Sequence, residues 1–126
     1  MYIKKINIDK EKYDLIFEIE GKNFEITVPL SGPESYLNYL LALSMAYFSE
    51  ISNLEKILEA STSLKNPRGR FEIIKYKNNN DVIIDFAHTP ESITQVIKFV
   101  KNKYRKVIVI FGASGNRDKE QRVLMG

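Results

Sequence analysis

Four polar residues that could form a ligand site follow two apolar runs in the second half of the chain. Asp85 lies near the end of the run 81–86, with His88 just beyond it, and Asn116 and Arg117 follow the β-branched run 107–111. If these runs are parallel strands joined by one helix, both following loops lie at the same edge of the sheet. Open α/β sheets bind ligands at that edge. We therefore expect these four side chains to lie near one another.

Asp85 and His88 each have a structural and a functional interpretation. A carboxylate at the mouth of a buried strand needs a partner, because desolvating it alone is costly. Asp85 either caps nearby backbone or pairs with an arginine, or it accepts ligand hydroxyls as acidic residues do for ribose. His88 is the only histidine, and beside a helix start a structural role is favoured over catalysis. Since cysteine is absent, we expect no zinc site.

The loop 112–118 is the most specific of these features. Gly112 and Gly115 let the backbone approach a ligand closely. Arg117 offers a planar fork suited to a carboxylate or a phosphate. The alternative is an ordinary glycine-rich turn with an Arg–Asp surface pair. The P-loop pattern Gly-x-x-x-x-Gly-Lys-Ser/Thr does not occur in the sequence, so that kind of phosphate cradle is not expected within it.

Hydrophobic periods predict the elements of the first half. Residues 13–19 and 24–28 alternate with a period of two, and residues 2–8 do so weakly. This pattern predicts a small antiparallel sheet with a hairpin. The stretch 36–48 is apolar on most of a helical circumference, which predicts a deeply buried helix. Asn38 is a polar residue on this segment, and we expect it to face solvent or to be bonded locally.

Local signals place the remaining elements. Ser52 begins a Ser-Asn-Leu-Glu capping box with Glu55, which predicts a second helix. The segment 65–70 combines Pro, Gly and two Arg, and we interpret it as a hinge or domain boundary. A second hairpin is predicted around three consecutive asparagines at 78–80. Thr89 then caps a helix with Pro90 at its first position.

Composition excludes several classes of protein. The chain has 126 residues and a formal net charge of only +3. Its lysines are scattered, so nucleic-acid binding is not expected. The sequence has no apolar run near the roughly 20 residues that a membrane span requires, and no signal peptide is visible. A cytoplasmic protein is the expectation, in keeping with the lack of cysteine.

Four segments, taken together, resemble motifs of the Mur ligase family. Residues 67–72 are similar to that family's Pro-Gly-Arg-(Phe/Met)-Glu junction, and residues 85–90 to its Asp-Tyr-Ala-His-Thr-Pro motif. Residues 30–42 resemble its Leu-x-Gly-x-Phe-Asn-x-x-Asn-x-Leu-Ala-Ala helix start. Residues 112–126 resemble its Gly-x-Gly-Gly-Asp-Arg-Asp-x-x-Lys-Arg-Pro-x-Met-Gly loop. The resemblance is closest to the branch that adds the third residue of the peptidoglycan stem peptide. The sequence departs from these motifs at Glu34, Ser35, Arg68, Gln121 and Val123.

The resemblance implies an α/β chain made of two partial domains. Residues 1–66 would be the end of the central ATP-binding domain, an antiparallel hairpin plus two helices. Residues 67–126 would be the start of a Rossmann-like C-terminal domain, with a β-hairpin, a helix and a parallel strand.

The resemblance also implies ligands and roles. ATP and Mg²⁺ would be the cofactors, and UDP-MurNAc-peptide and an amino acid the substrates of the complete enzyme. Asn38 would contact adenine, Asp85 the ribose and Arg70 the phosphate region. His88 would line the nucleotide cleft, and Arg117 would hold the amino acid's carboxylate.

The resulting expectation is a segment of an ATP-dependent amide ligase that is inactive alone. The P-loop and the magnesium-binding lysine of the family would lie outside it, as would the Asp-Asn-Pro-Arg motif that reads the amino acid. The alternative is a non-catalytic remnant, or a nucleotide-binding or interaction module, with the same fold. Two partial domains would leave a sheet edge and apolar surface uncovered, so self-association or a need for missing ligase segments is expected. The sequence leaves open which amino acid would be added.

Overall fold

The computed structural model describes residues 1–112, without the side chain of Asn79. The chain divides into two compact units, Met1–Arg68 and Gly69–Gly126. The first unit contains the strands β1 (Tyr2–Ile8), β2 (Tyr13–Ile19) and β3 (Lys22–Val28) and the helices α1 (Ser35–Phe48) and α2 (Leu54–Ser61). In the second unit, the described elements are β4 (Glu72–Tyr76), β5 (Asn80–Ile84) and α3 (Pro90–Lys101). This mixed composition confirms the α/β class.

The first unit is an antiparallel sheet in the order β1-β2-β3. Along β2, buried and half-buried positions alternate, as the period of two predicts. Glu20 and Gly21 join β2 to β3 with φ angles of 50° and 77°. Two successive positive φ values are the mark of a type I′ turn, whose twist matches that of a hairpin. The core consists of Tyr13, Leu15, Phe17, Ile19, Ile26 and Val28 of the sheet with Tyr39, Leu40 and Leu43 of α1.

Helix α1 is buried on one side only, so the prediction of deep burial is wrong. Its residues Leu41, Met45 and Phe48 are 62%, 63% and 65% exposed. The sheet covers the face that carries Leu40 and Leu43, and a helix presents only about a third of its circumference to one layer. Asn38 is exposed, which confirms the expectation that it faces solvent.

The predicted Ser52 capping box is also wrong, by one residue. Asn53 is the N-cap of α2, with extended φ and ψ of −69° and 155°. Its side-chain oxygen accepts a hydrogen bond from the backbone N–H of Lys56 at 3.0 Å. Asparagine and serine are comparable N-caps, and here the chain enters the helix one residue later. Glu55 then lies in the first turn, where the helix dipole favours a negative charge.

A side-chain amide fastens the end of the first unit to the loop before α1. Asn66 accepts the backbone N–H of Ser31 at 2.8 Å and donates to the Ser31 carbonyl at 2.8 Å. Both hydrogen bonds join residues 35 positions apart in the chain. The amide satisfies both backbone polar groups of Ser31, which is buried, as a strand neighbour would.

The second unit begins with the predicted hairpin and helix. Strands β4 and β5 pair in antiparallel register from Glu72↔Ile84 to Tyr76↔Asn80. At the start of α3, Thr89 accepts the backbone N–H of Ser92 at 3.2 Å, and the Ser92 hydroxyl accepts the N–H of Thr89 at 3.0 Å. This capping box places Pro90 at the first helical position, as predicted.

The parallel strand predicted at 107–111 is not formed, because these residues belong to neither of the two described sheets. The segment instead runs beside β5 and α3, where it lines a groove of about 140 Å³ with Ile83, Ala87 and Ile93. A strand requires a ladder of backbone hydrogen bonds to a neighbour, and β-branched residues favour that state without supplying the partner. Because no neighbouring strand covers this segment among the described residues, Ile110 is 94% exposed.

Candidate functional site

The second unit brings three of the five predicted site residues together. Arg70 precedes β4, and Asp85 and His88 follow β5, so all three lie at the same end of the hairpin. Asn38 lies on α1 of the first unit. Arg117, together with Asn116, lies outside the described residues, so the expected grouping with Asp85 and His88 stays a prediction.

Asp85 directly follows β5 and accepts hydrogen bonds from the backbone of both chain segments at this end of the hairpin. Its Oδ2 accepts the N–H of Phe71 at 2.8 Å, and its Oδ1 accepts the N–H of Ala87 at 2.8 Å. The carboxylate therefore has the partners that a half-buried charge requires. Between the alternatives raised from the sequence, the backbone cap is observed. Each carboxylate oxygen has further acceptor capacity, so an additional hydroxyl contact is compatible with this geometry.

The turn before β4 adopts an unusual backbone conformation. Gly69 and Phe71 have φ angles of 69° and 46°. This region suits glycine but is strained for a bulky side chain. The Gly69 N–H donates to Glu72 Oε2 at 2.9 Å. The Phe71 ring is buried and meets the ring of Phe99 edge-on, with the centroids 5.1 Å apart. Side chains thus hold the turn from several directions.

Arg70, Phe86 and His88 form an exposed stack at this end of the hairpin. The guanidinium carbon of Arg70 lies 4.5 Å from the centroid of the Phe86 ring, within the range of a cation–π contact. The His88 ring meets Phe86 edge-on at a centroid distance of 5.0 Å. This arrangement displays a cation and two aromatic rings, groups that suit a phosphate and a flat base.

The hydrogen bonding of His88 defines its tautomer. Its Nδ1 lies 2.9 Å from the carbonyl oxygen of Phe86. Since a carbonyl only accepts, Nδ1 carries the proton. In the neutral ring Nε2 is then an acceptor, and in the imidazolium it is a donor. The side chain is exposed, so its Nε2 can meet a ligand.

Asn38 lies one turn into α1. Its backbone N–H bonds the Glu34 carbonyl at 3.4 Å, and its side chain is exposed. Leu41 follows three positions later on the same part of the helix surface and is 62% exposed. An amide beside an apolar side chain is a suitable combination for a purine, since a carboxamide can bond adenine on two atoms.

A buried carboxylate that the sequence analysis missed fixes the far end of the hairpin. The side chain of Asp81 is 7% exposed. It accepts the Tyr104 hydroxyl at 2.7 Å and pairs with Lys75 Nζ at 3.3 Å. Asp81 thereby ties the segment after α3 to the start of β5. The register of the hairpin could have indicated this ion pair, because Lys75 and Asp81 lie directly opposite each other on β4 and β5.

Two kinds of feature are absent from the part of the chain that the structure describes. Residues 1–112 contain no group of three or more His, Asp or Glu side chains that could hold a metal ion. None of the helices in this part of the chain combines the length and the apolar character that a membrane span needs.

Comparison with known proteins supplies the family. Residues 69–126 match the family model described as Mur ligase, glutamate ligase domain. The UDP-N-acetylmuramoyl-L-alanyl-D-glutamate--2,6-diaminopimelate ligase of Rickettsia bellii is 32% identical over 98% of this chain and 26% of its own length. The ligase of the same name from Alkaliphilus oremlandii is 33% identical over 97% of this chain and 25% of its own length.

A solved structure agrees with the sequence matches. The structure of a UDP-N-acetylmuramoyl-L-alanyl-D-glutamate--2,6-diaminopimelate ligase superposes with a TM-score of 0.64 at 26% identity, over 98% of this chain and 25% of that one. The chain thus spans about a quarter of the length of these relatives. From its motifs, its fold and these matches, the chain belongs to the Mur ligase family.

Proposed function

We propose that the chain supplies part of the nucleotide and amino-acid site of an ATP-dependent amide ligase. The reaction would add the third stem-peptide residue to UDP-MurNAc-dipeptide in the cytoplasm. The observation that carries the proposal is the grouping of Arg70, Asp85 and His88 at one end of the β4–β5 hairpin. These residues belong to the two segments that resemble the family's junction and Asp-Tyr-Ala-His-Thr-Pro motifs.

The proposed organisation follows the two domains of the family. Residues 1–66 would be the end of the central ATP-binding domain, and residues 67–126 the beginning of the C-terminal domain. The match of residues 69–126 to the glutamate ligase domain supports the second assignment. The division of the chain after Arg68 is in keeping with it.

The proposed roles use the chemistry of each side chain. Asp85 would accept ribose hydroxyls with the acceptor capacity left beside its two backbone bonds. Arg70 would bind phosphate oxygens, His88 would line the nucleotide cleft, and Asn38 would bond adenine. Arg117 would hold the carboxylate of the incoming amino acid. When bound, ATP supplies the phosphoryl group that activates a carboxylate for amide formation.

We further propose that the 126-residue chain does not catalyse this reaction alone. Phosphoryl transfer depends on positioning and electrostatic stabilisation by a phosphate cradle and bound metal. The sequence contains no P-loop pattern, so the phosphate cradle would have to come from outside it. Nucleotide contacts would therefore be retained while turnover is absent.

Nuclear magnetic resonance titration of the chain with ATP tests the site. We expect shift changes at Arg70, Asp85 and His88, lost in Arg70→Ala and retained in Lys98→Ala, which alters the exposed side of α3. The same samples are assayed for ADP release and amide formation with magnesium, UDP-MurNAc-dipeptide and an amino acid, where we expect none. An ATP titration that leaves these residues unchanged would overturn the nucleotide site. Turnover that Asp85→Ala abolishes would overturn the proposed inactivity.

A further inference from the structure

We propose that Asp85 is a positioning residue for Arg70: its carboxylate fixes the cationic stack before any ligand binds. This role is distinct from a direct contact with a nucleotide hydroxyl. Its consequence for phosphate binding rests on the proposed nucleotide site. Its consequence for the ligand-free chain does not.

One carboxylate joins the two loops that carry the stack. Asp85 Oδ2 accepts the N–H of Phe71, the residue directly after Arg70, at 2.8 Å. Asp85 Oδ1 accepts the N–H of Ala87, the residue directly after Phe86, at 2.8 Å. Arg70 and Phe86 are the two partners of the 4.5 Å cation–π contact. The backbone next to each partner is therefore held by the same side chain.

The backbone at Phe71 shows why such a hold is needed. Its φ of 46° is strained for a bulky residue, and such conformations persist only where the surroundings determine them. The buried ring of Phe71 packs on Phe99. The hydrogen bond that the Gly69 N–H donates to Glu72 holds the start of the turn, and Asp85 holds its end. Without Asp85, the conformation that directs Arg70 towards Phe86 loses its charged partner.

The affinity for an anion distinguishes a positioning role of Asp85 from the effect of its negative charge, because the two predict opposite changes when Asp85 is removed. Removing a nearby carboxylate removes negative charge, so by Coulomb's law an anion should bind more tightly. If Asp85 acts by placing Arg70, its removal should instead weaken the binding of an anion. Inorganic tripolyphosphate is a suitable probe, because it has phosphates but no ribose hydroxyl that Asp85 could contact directly.

The first experiment measures tripolyphosphate binding to the full chain by calorimetry. We expect Asp85→Ala to weaken binding by roughly tenfold, as losing a charged hydrogen-bond partner does. Arg70→Ala should weaken it similarly, and the double variant should bind no worse than either single variant. Glu91→Ala is the matched control, because it removes an exposed carboxylate from the first turn of α3 and should leave binding equal or tighter. Unchanged or tighter binding in Asp85→Ala, or additive losses, would overturn the proposal.

The second experiment needs no ligand. Amide hydrogen exchange should show Phe71 and Ala87 protected in the chain, with protection falling at least about tenfold in Asp85→Ala. Asp85→Asn retains one acceptor oxygen, so it should lose protection at one of the two amides and restore part of the Arg70–Phe86 contact. Unchanged resonances from the core of the first unit show that each variant is folded.

The proposed nucleotide function and the positioning role would be overturned by different results. If neither ATP nor tripolyphosphate binds the unaltered chain, the nucleotide function fails while amide exchange still decides the positioning role. If Phe71 stays protected and the Arg70 side-chain shifts are unchanged in Asp85→Ala, the positioning role fails whatever the chain binds.

Discussion

At the residue scale, several carboxylates of this chain accept specific hydrogen bonds. Asp85 and Asp81 hold backbone and hydroxyl groups at opposite ends of one hairpin. On the first unit, Asp14 accepts the Thr27 hydroxyl at 2.7 Å. That hydrogen bond holds the pKa of Asp14 below its ordinary value of 3.8, with Lys12 and Asn7 adding to the effect. Glu18 has a similarly lowered pKa because Lys4 donates to it.

Replacing Thr27 with valine tests the Asp14 interaction. A lowered pKa in the folded chain means that Asp14 contributes stability above its unfolded pKa and loses it as the pH falls through the folded value. Thr27→Val removes the main donor, so the pKa of Asp14 should rise and the loss of stability in acid should become smaller. Carboxyl carbon titration by nuclear magnetic resonance measures the pKa, and thermal melting below about pH 4 measures the stability. Glu18 is the internal control, and an unaltered Asp14 titration would contradict the assignment.

At the element scale, local patterns predicted those elements whose signal is contained in their own residues. The period of two gave β2 and β3, and Thr89-Pro90 marked the start of α3. The prediction of a strand at 107–111 was wrong because a strand depends on the backbone of a neighbouring strand as well as on its own composition. The single-sided burial of α1 depends on how many layers pack against it, which its sequence does not encode.

The candidate site was predictable to the same extent. The loop after β5 was expected to carry Asp85 and His88, and the structure places them there with Arg70. A backbone cap by Asp85 was one of the expected alternatives, but the Arg70–Phe86 stack and the hydrogen bond from Phe71 to Asp85 were not predictable. They depend on a positive φ at Phe71 and on the hairpin register, and no local pattern specifies either one.

The start of α2 gives an element-scale prediction. Asn53→Ala removes the side chain that accepts the Lys56 N–H and should lower the free energy of unfolding by about 1 kcal/mol. Ser52→Ala is the matched variant one position earlier and should change it by less than about 0.5 kcal/mol. Denaturant unfolding of the chain, followed by circular dichroism, measures both. Equal costs for the two variants would show that Ser52 shares the capping role.

At the scale of the whole molecule, each unit is small and leaves apolar surface exposed. The first unit has the continuous core around β2 and α1. The buried apolar residues described in the second unit are Phe71, Pro90, Ile93 and Val100. Outside these cores, α1 exposes Leu41, Met45 and Phe48, and Ile51 follows at 76% exposure. Apolar side chains clustered on one surface promote association.

We therefore expect the chain to self-associate through the exposed side of α1. Changing Met45 and Phe48 together to glutamine should reduce the concentration dependence of the mass measured by light scattering after size exclusion. Changing Lys56 and Glu59 of α2 to glutamine, at exposed positions, is the control and should leave the association in place. A monodisperse monomer with a concentration-independent melting temperature would contradict the prediction.

The pair of hydrogen bonds between Asn66 and Ser31 has a consequence for engineering. These hydrogen bonds join two points that are 35 residues apart. The segment between them, which contains α1 and α2, is therefore a loop whose two ends are held together. The connection between these helices, at Ser49, Glu50 and Ile51, is exposed. Lengthening a closed loop costs only about 0.6 kcal/mol for each doubling. A peptide tag or a reporter domain inserted there would leave both anchored ends in place, which makes this connection a suitable insertion point in the chain.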